Sequence, residues 1–222
     1  MGDGYDLTLY SYWRSSAAYR VRIALNLKGL PYRIVPVNLL ADGGEQHRAA
    51  FRELNPQRLV PVLVHGERVF RQSLAIIEYL DAIRLDPPLV PEAPRERARA
   101  QALAQLIACD IHPIANLRVL KYLEREFGAD EEQRAKWCRH WIVEGLSAME
   151  TLLEDNPSTG TFCEGDEPTI ADCCLVPQLY NARRYGVDLG RFPTLTRIEA
   201  ACLELEAFRE AAPERQPDAP SP

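Results

Sequence analysis

The sequence predicts an α/β domain followed by an all-helical domain, and three observations predict it. Strand-like and helix-like patterns alternate as βαβαββα up to about residue 86. Four prolines then crowd the stretch "DPPLVPEAP" at 86–94, and beyond it apolar residues recur only at helical spacing. The boundaries follow: an α/β domain over 1–86, a linker over 87–94, a helical domain over 95–212, and a disordered tail over 213–222, where "PERQPDAPSP" is rich in proline.

Each element has its own local reason. Leu7 to Tyr10 is strand-like. In "RSSAAYRVRIALNLKGLP", residues 14–31, the apolar Val21, Ala24, Leu25 and Leu27 predict an amphipathic helix over 16–28, which Gly29 caps and Pro31 stops. Ser15 and Ser16 stand at its N-cap region, where unpaired N–H groups and the macrodipole favour an anion. Arg33 to Asn38 is strand-like despite Pro36, and after "ADGG" a short helix is expected over 46–54. "LVPVLV" and "ERVFR" flank His65-Gly66 as a hairpin, and Ser73 is the expected N-cap of "SLAIIEYLDAI". Four further helices are expected over 95–125, 131–154, 169–184 and 194–210, the third opened by the capping box Thr169-Ile-Ala-Asp172.

Composition narrows the function. The 222 residues are 46% hydrophobic and 26% charged, with no apolar run long enough to cross a bilayer and no secretory leader pattern, so a cytoplasmic globular protein is expected. A net charge of −6 argues against nucleic-acid or anionic-membrane binding, so any anion must be captured locally. The six cysteines show no C-x-x-C and the four histidines no H-E-x-x-H, which favours reduced packing thiols and no metal. Trp137 and Trp141, spaced i, i+4, read as helix packing, and Thr169 and Asp172 as folding residues.

Five ordered stretches, "SYWRSSAAYRVRIALNLKG", "NPQRLVPVLVHG", "RQSLAIIEYL", "DIHPIANLRVLKYL" and "TIADCCLVPQLYNARRYGVDL", closely resemble the zeta class of glutathione transferases over residues 7 to about 212. Within that class the resemblance is to the bacterial maleylacetoacetate isomerases. It implies a thioredoxin-like N-terminal domain, an all-α C-terminal domain, a homodimer and glutathione as cofactor. Carried over residue by residue, it implies that Ser15 hydrogen-bonds the glutathione sulfur, with Ser16 the alternative hydroxyl or a mere cap. It implies a cis turn at Val60-Pro61, a γ-glutamyl carboxylate site at Gln72 and Ser73, and further cofactor contacts at Gln46 and His112. It places Arg14, Asn116, Arg118 and Arg184 on a small dicarboxylate substrate, with Arg183 outward. Ser15 and Arg184 are then the catalytic pair.

The implied reaction is isomerisation of maleylacetoacetate to fumarylacetoacetate, in phenylalanine and tyrosine catabolism, by thiolate addition, bond rotation and elimination. The alternatives are a maleylpyruvate isomerase of gentisate catabolism, a zeta-type transferase or dehalogenase, and a noncatalytic glutathione-binding module. The chain departs from the family's S-S-C stretch at Ala17, which removes an enzyme thiol and weighs against disulfide-reducing chemistry.

Overall fold

The computed structural model describes residues 6–220. The chain divides into two compact units, Met1–Leu89 with Glu204–Pro222, and Val90–Leu203.

The first unit is built on a four-stranded mixed sheet of order β2-β1-β3-β4. β1 (Leu7–Ser11) pairs in parallel with β2 (Arg33–Pro36) and antiparallel with β3 (Val62–His65), which pairs antiparallel with β4 (Arg68–Arg71). A parallel pair needs a crossover, and α1 (Ser16–Leu27) supplies it. β1 is buried along almost its whole length: Leu9 lies between Ile34 and Leu63 in the register. The hairpin turn is Gly66-Glu67, one residue later than expected, because His65 still pairs with Arg68 and Gly66 takes φ +57°.

α1 ends where the sequence places its stop. Gly29 adopts φ +60°, and Leu30 N–H reaches back to the Leu25 carbonyl, the bond pattern of a glycine-terminated helix. Buried Lys28 bonds the Asp81 carboxylate and the Pro87 carbonyl, tying this end to α3 (Ser73–Ile83) and the chain beyond it. The helix expected over 46–54 is a 3-10 turn, Glu45–His47, and α2 (Ala49–Leu54), parted by the extended Arg48.

Two corrections concern helix ends. Ser73 is not the N-cap of α3: Gln72 holds that place at φ +69° with no side-chain cap bond, and Ser73 is the first helical residue. The helix expected over 194–210 breaks at the extended Leu205 into α8 (Pro193–Glu204) and the short α9 (Glu206–Glu210).

The tail expected to be disordered is ordered through residue 220, and 221–222 lie outside the described residues. Phe208 and Ala211 are fully buried in the first unit, and Pro213 and Gln216 are buried as well. Composition misled here because the segment is not required to bury surface on its own: Asp218 accepts the Trp13 N–H (2.9 Å), and just ahead of the tail α1 holds the carbonyls of Phe208 through Tyr19 O–H (3.4 Å) and of Ala207 through Asn26 (3.0 Å).

The second unit is helical: α4 (Pro94–Gln105), α5 (Leu117–Phe127), α6 (Glu131–Leu153), α7 (Ile170–Arg184) and α8. The single helix expected over 95–125 is broken. α4 passes into a π-helical stretch, Leu106–Ile111, before Pro113 interrupts the chain and Asn116 caps α5 anew. Gly145 of α6 lets that stretch approach closely, since a Cβ there would fall 2.2 Å from Ile111 Cγ1. α7 is buried nearly throughout and opens on the expected capping box. Five cysteines are buried and Cys109 is exposed. No helix among the described residues is long and apolar enough to cross a membrane.

Candidate functional site

Ser15 is the N-cap of α1. Its Oγ accepts the Ala18 N–H (3.2 Å), while its own N–H closes a turn onto the Tyr12 carbonyl (2.9 Å). A hydroxyl that accepts with its oxygen still has its proton to donate. The first turn of α1 carries no acidic side chain, so the positive end of the helix is open to an anion. Ser16 is the first helical residue; the capping role that the sequence left open between the two serines falls to Ser15.

Around this turn lies an apolar cluster of Tyr12, Val37, Phe51, Val60 and Val62, with Leu39 packed against it. Val60 sits one residue before a cis Pro61, outside the β1–β3 register, which starts at Val62. Gln46 joins through Leu39, whose carbonyl it bonds (3.3 Å), and is 6% exposed with its Oε1 buried and lacking a partner among the described residues. Gly44 is required beside it: φ is +104°, and a Cβ would fall 2.4 to 2.7 Å from the Gln46 amide.

The start of α3 is a second anion-ready terminus without acidic residues. Gln72, in a backbone region unusual for a residue with a side chain, is exposed and its amide bonds Gln57 (3.0 Å). Ser73 is buried, and its Oγ accepts from the Arg20 guanidinium (3.2 Å), itself only 2% exposed. An arginine can only donate, so this bond uses a serine lone pair and turns the hydroxyl proton outward. Arg20 therefore orients Ser73 and adds positive charge behind it.

Arg20 was not singled out from the sequence, although a signal existed. In "YRVRIA" two arginines two apart cannot share one helix face, and apolar residues surround both, so at least one had to point inward. Both do: Arg22 is fully buried. Arg14, by contrast, rests its guanidinium 5.3 Å from the centre of the Trp13 ring.

The candidates of the second unit stand at three places. His112 follows the π-helical stretch, its N–H bonded to the Ile107 carbonyl (2.9 Å). Asn116 caps α5 by accepting the Arg118 N–H (3.1 Å), which leaves its amide N–H groups for other work; Arg118 is exposed. Arg184, in the last turn of α7, is exposed with its guanidinium 4.9 Å from the Tyr185 ring centre. Its neighbour Arg183 makes a two-pronged ion pair with the nearly buried Glu199 of α8, and that carboxylate holds Arg183 above the usual arginine value. The two arginines thus part company: one is tied into the fold and the other is available.

A family model described as glutathione S-transferase, N-terminal domain, matches residues 9–88, and one described as glutathione S-transferase, C-terminal domain, matches residues 117–214. The chain is 53% identical over 214 residues to a probable maleylacetoacetate isomerase of Vibrio cholerae, covering 96% of this chain and 99% of that one. It superposes with a TM-score of 0.93 and 49% identity on the holo structure of a maleylpyruvate isomerase, described as a bacterial zeta-class glutathione S-transferase, covering 96% of this chain and all of that one. A maleylacetoacetate isomerase of Methylobacterium extorquens AM1, solved with malonate and glutathione bound, also gives a TM-score of 0.93, at 44% identity and with 96% and 100% coverage.

Proposed function

The chain belongs to the glutathione S-transferase family, in its zeta class, and from that premise we propose that it isomerises maleylacetoacetate to fumarylacetoacetate with glutathione as cofactor. The observation that carries the proposal is the Ser15 hydroxyl, held at the open N-terminus of α1 in a chain this similar to named isomerases. The first unit fits the tripeptide: it offers a hydroxyl donor, two anion-ready helix termini, and in Gln46 a buried acceptor lacking a partner among the described residues.

Glutathione, when bound, supplies a sulfur that adds to the cis double bond and leaves once that bond, now single, has turned, so it is returned unconsumed. Ser15 donates to the sulfur, and the helix terminus adds positive potential; both favour the charged form and lower its pKa. Ser73, oriented by Arg20, and Gln72 hold the γ-glutamyl carboxylate. The Val60 backbone, Gln46 and His112 fix the remaining polar groups, and Ser16 adds a second hydroxyl at the helix start. Arg14, Asn116, Arg118 and Arg184 hold the carboxylate ends of the substrate, for which the guanidinium fork is suited. Arg184 also stabilises charge developing on the carbonyl oxygen during addition. We assign the working form to a cytoplasmic homodimer.

Similarity to the maleylpyruvate isomerase favours a second reading, the same chemistry on maleylpyruvate. An ultraviolet assay of both substrates, with and without glutathione, decides between them. Turnover strictly dependent on glutathione, with the tripeptide recovered intact, is expected; release of chloride from dichloroacetate points to a dehalogenase, and no turnover of any substrate to a binding module. Ala17 predicts no disulfide-reducing activity.

The arginine pair gives a second test. Arg184→Ala is expected to lower kcat/KM for isomerisation about 10- to 100-fold, the worth of a hydrogen bond to a charged group, while glutathione affinity by calorimetry stays within about twofold. Arg183→Ala is expected to leave turnover near normal and to lower stability by about 1–3 kcal/mol, since Arg183 is half exposed but the nearly buried Glu199 loses its partner. The reverse pattern rules out the assignment.

A further inference from the structure

The turn that delivers Ser15 to α1 is held from outside its own strand. Trp13, at its apex, donates its N–H to a carboxylate oxygen of Asp218 (2.9 Å) and accepts at its carbonyl from the Arg22 guanidinium (3.0 Å). Arg22 also donates to Ser11 Oγ (3.1 Å) and to the Ala211 carbonyl (2.9 Å), so it joins the end of β1, the turn and the segment after α9. Asp218 is itself placed with care. Gln216 is buried, its side-chain amide bonds the carbonyls of Ala212 (2.8 Å) and Glu210 (3.1 Å), and a turn from Gln216 to Ala219 presents the carboxylate.

We propose that Asp218 is a positioning residue for Ser15: by holding the Trp13 N–H it fixes the turn two residues ahead of the hydroxyl, and so aims that hydroxyl at the glutathione sulfur. The inference rests on the isomerase reading for its chemistry and on the first unit alone for its geometry. Ser15 closes the turn through its own N–H onto the Tyr12 carbonyl, and the Trp13 N–H and carbonyl at the apex are held by Asp218 and Arg22. The other carboxylate oxygen, Asp218 Oδ1, is buried without a partner among the described residues, so the bond to Trp13 is the one through which this carboxylate acts. The Arg22 guanidinium offsets the charge that Asp218 brings to the turn. Although burial pulls Arg22 down to about 10, it stays protonated at neutral pH, supported by Tyr32, Tyr19 and Asp218.

The test compares Asp218→Ala with Asp218→Asn in the full chain. The amide oxygen of asparagine can still accept the Trp13 N–H; alanine cannot. In D218A, amide hydrogen exchange at residues 13–16 is expected to quicken, kcat to fall about tenfold with KM and affinity for glutathione within about twofold, and the bound thiol, titrated by its thiolate ultraviolet absorbance, to ionise at higher pH. D218N is expected to restore all three. The proposal is overturned if D218A keeps wild-type exchange at 13–16 and wild-type kcat, or if D218N is as impaired as D218A. It is also overturned if kcat falls only in proportion to folded protein. A parent chain with no glutathione-dependent turnover removes the isomerase reading instead, and the exchange and thiol-titration arms still decide the role of Asp218.

Discussion

Replacing Ser15 by alanine is expected to lower kcat/KM for isomerisation by about 100- to 1000-fold, the usual consequence of removing a positioned donor from a developing anion. Two effects combine in this variant and can be separated. The hydroxyl proton stabilises the sulfur anion, and its loss returns the bound thiol towards the range of a free cysteine, about 8.5. The hydroxyl oxygen caps α1 by accepting the Ala18 N–H, and its loss costs about 1 kcal/mol of stability. Ser15→Thr keeps both functions and is expected to retain the cap and much of the turnover. Ser16→Ala, inside the first helical turn, is expected to leave both nearly unchanged. Calorimetry, thiolate titration and steady-state rates on the three variants make the check; equal, near-normal turnover in Ser15→Ala and Ser16→Ala defeats the assignment.

What made Ser15 legible was local. A serine before an apolar period, a glycine and a proline after it, are signals carried by neighbours in sequence, and α1 starts and stops beside them. The same holds for the capping box of α7, whereas at α3 the local signal misplaced the cap by one residue, from Gln72 to Ser73. Features that depend on distant partners were not legible. Leu106, Ile107 and Ile111 continue the helical period, so nothing in the pattern announces the π-helical stretch there. The close packing that goes with it depends on Gly145, more than thirty residues on, which admits Ile111 at close range.

Asp218 was hidden for the same cause, and so were the partners of Arg20 and Arg22, whose burial the "YRVRIA" pattern does signal. A charge in a sequence window reads as solvated because burial without partners is costly, and the partners that remove the cost are remote. Trp13 and Asp218 are 205 residues apart, and Arg22 and Ala211 are 189 apart. The cis Pro61 belongs to a third kind: a proline shows where such a bond can occur, and only the family resemblance indicated that it would.

The largest stability effect is expected at Asp172, which lies outside the proposed chemistry. Its Oδ2 accepts from Thr169 N–H (2.8 Å) and Thr169 Oγ1 (3.0 Å), and its Oδ1 accepts from Cys163 N–H (2.9 Å), so one carboxylate closes the capping box of α7 and pins the preceding loop. Asp172 and Cys163 are fully buried and Thr169 is 4% exposed, so no water can replace a lost acceptor. Burial itself pushes the Asp172 carboxyl above its ordinary value against the pull of these bonds, and pushes the Cys163 thiol well up beside it. Asp172→Ala leaves two buried backbone N–H groups unpaired, a loss of about 3–5 kcal/mol that should lower Tm by roughly 6–20 °C. Asp172→Asn keeps an acceptor on one side and turns an N–H group against the other donor, so about half that loss is expected. Thermal and urea unfolding measure both. Glutathione affinity of the folded variants is expected to stay within about twofold, because Asp172 belongs to the helical unit and the residues proposed to hold the tripeptide, His112 apart, to the other. An Asp172→Ala protein within ~1 kcal/mol of the parent shows that the α7 start is held by something other than this carboxylate.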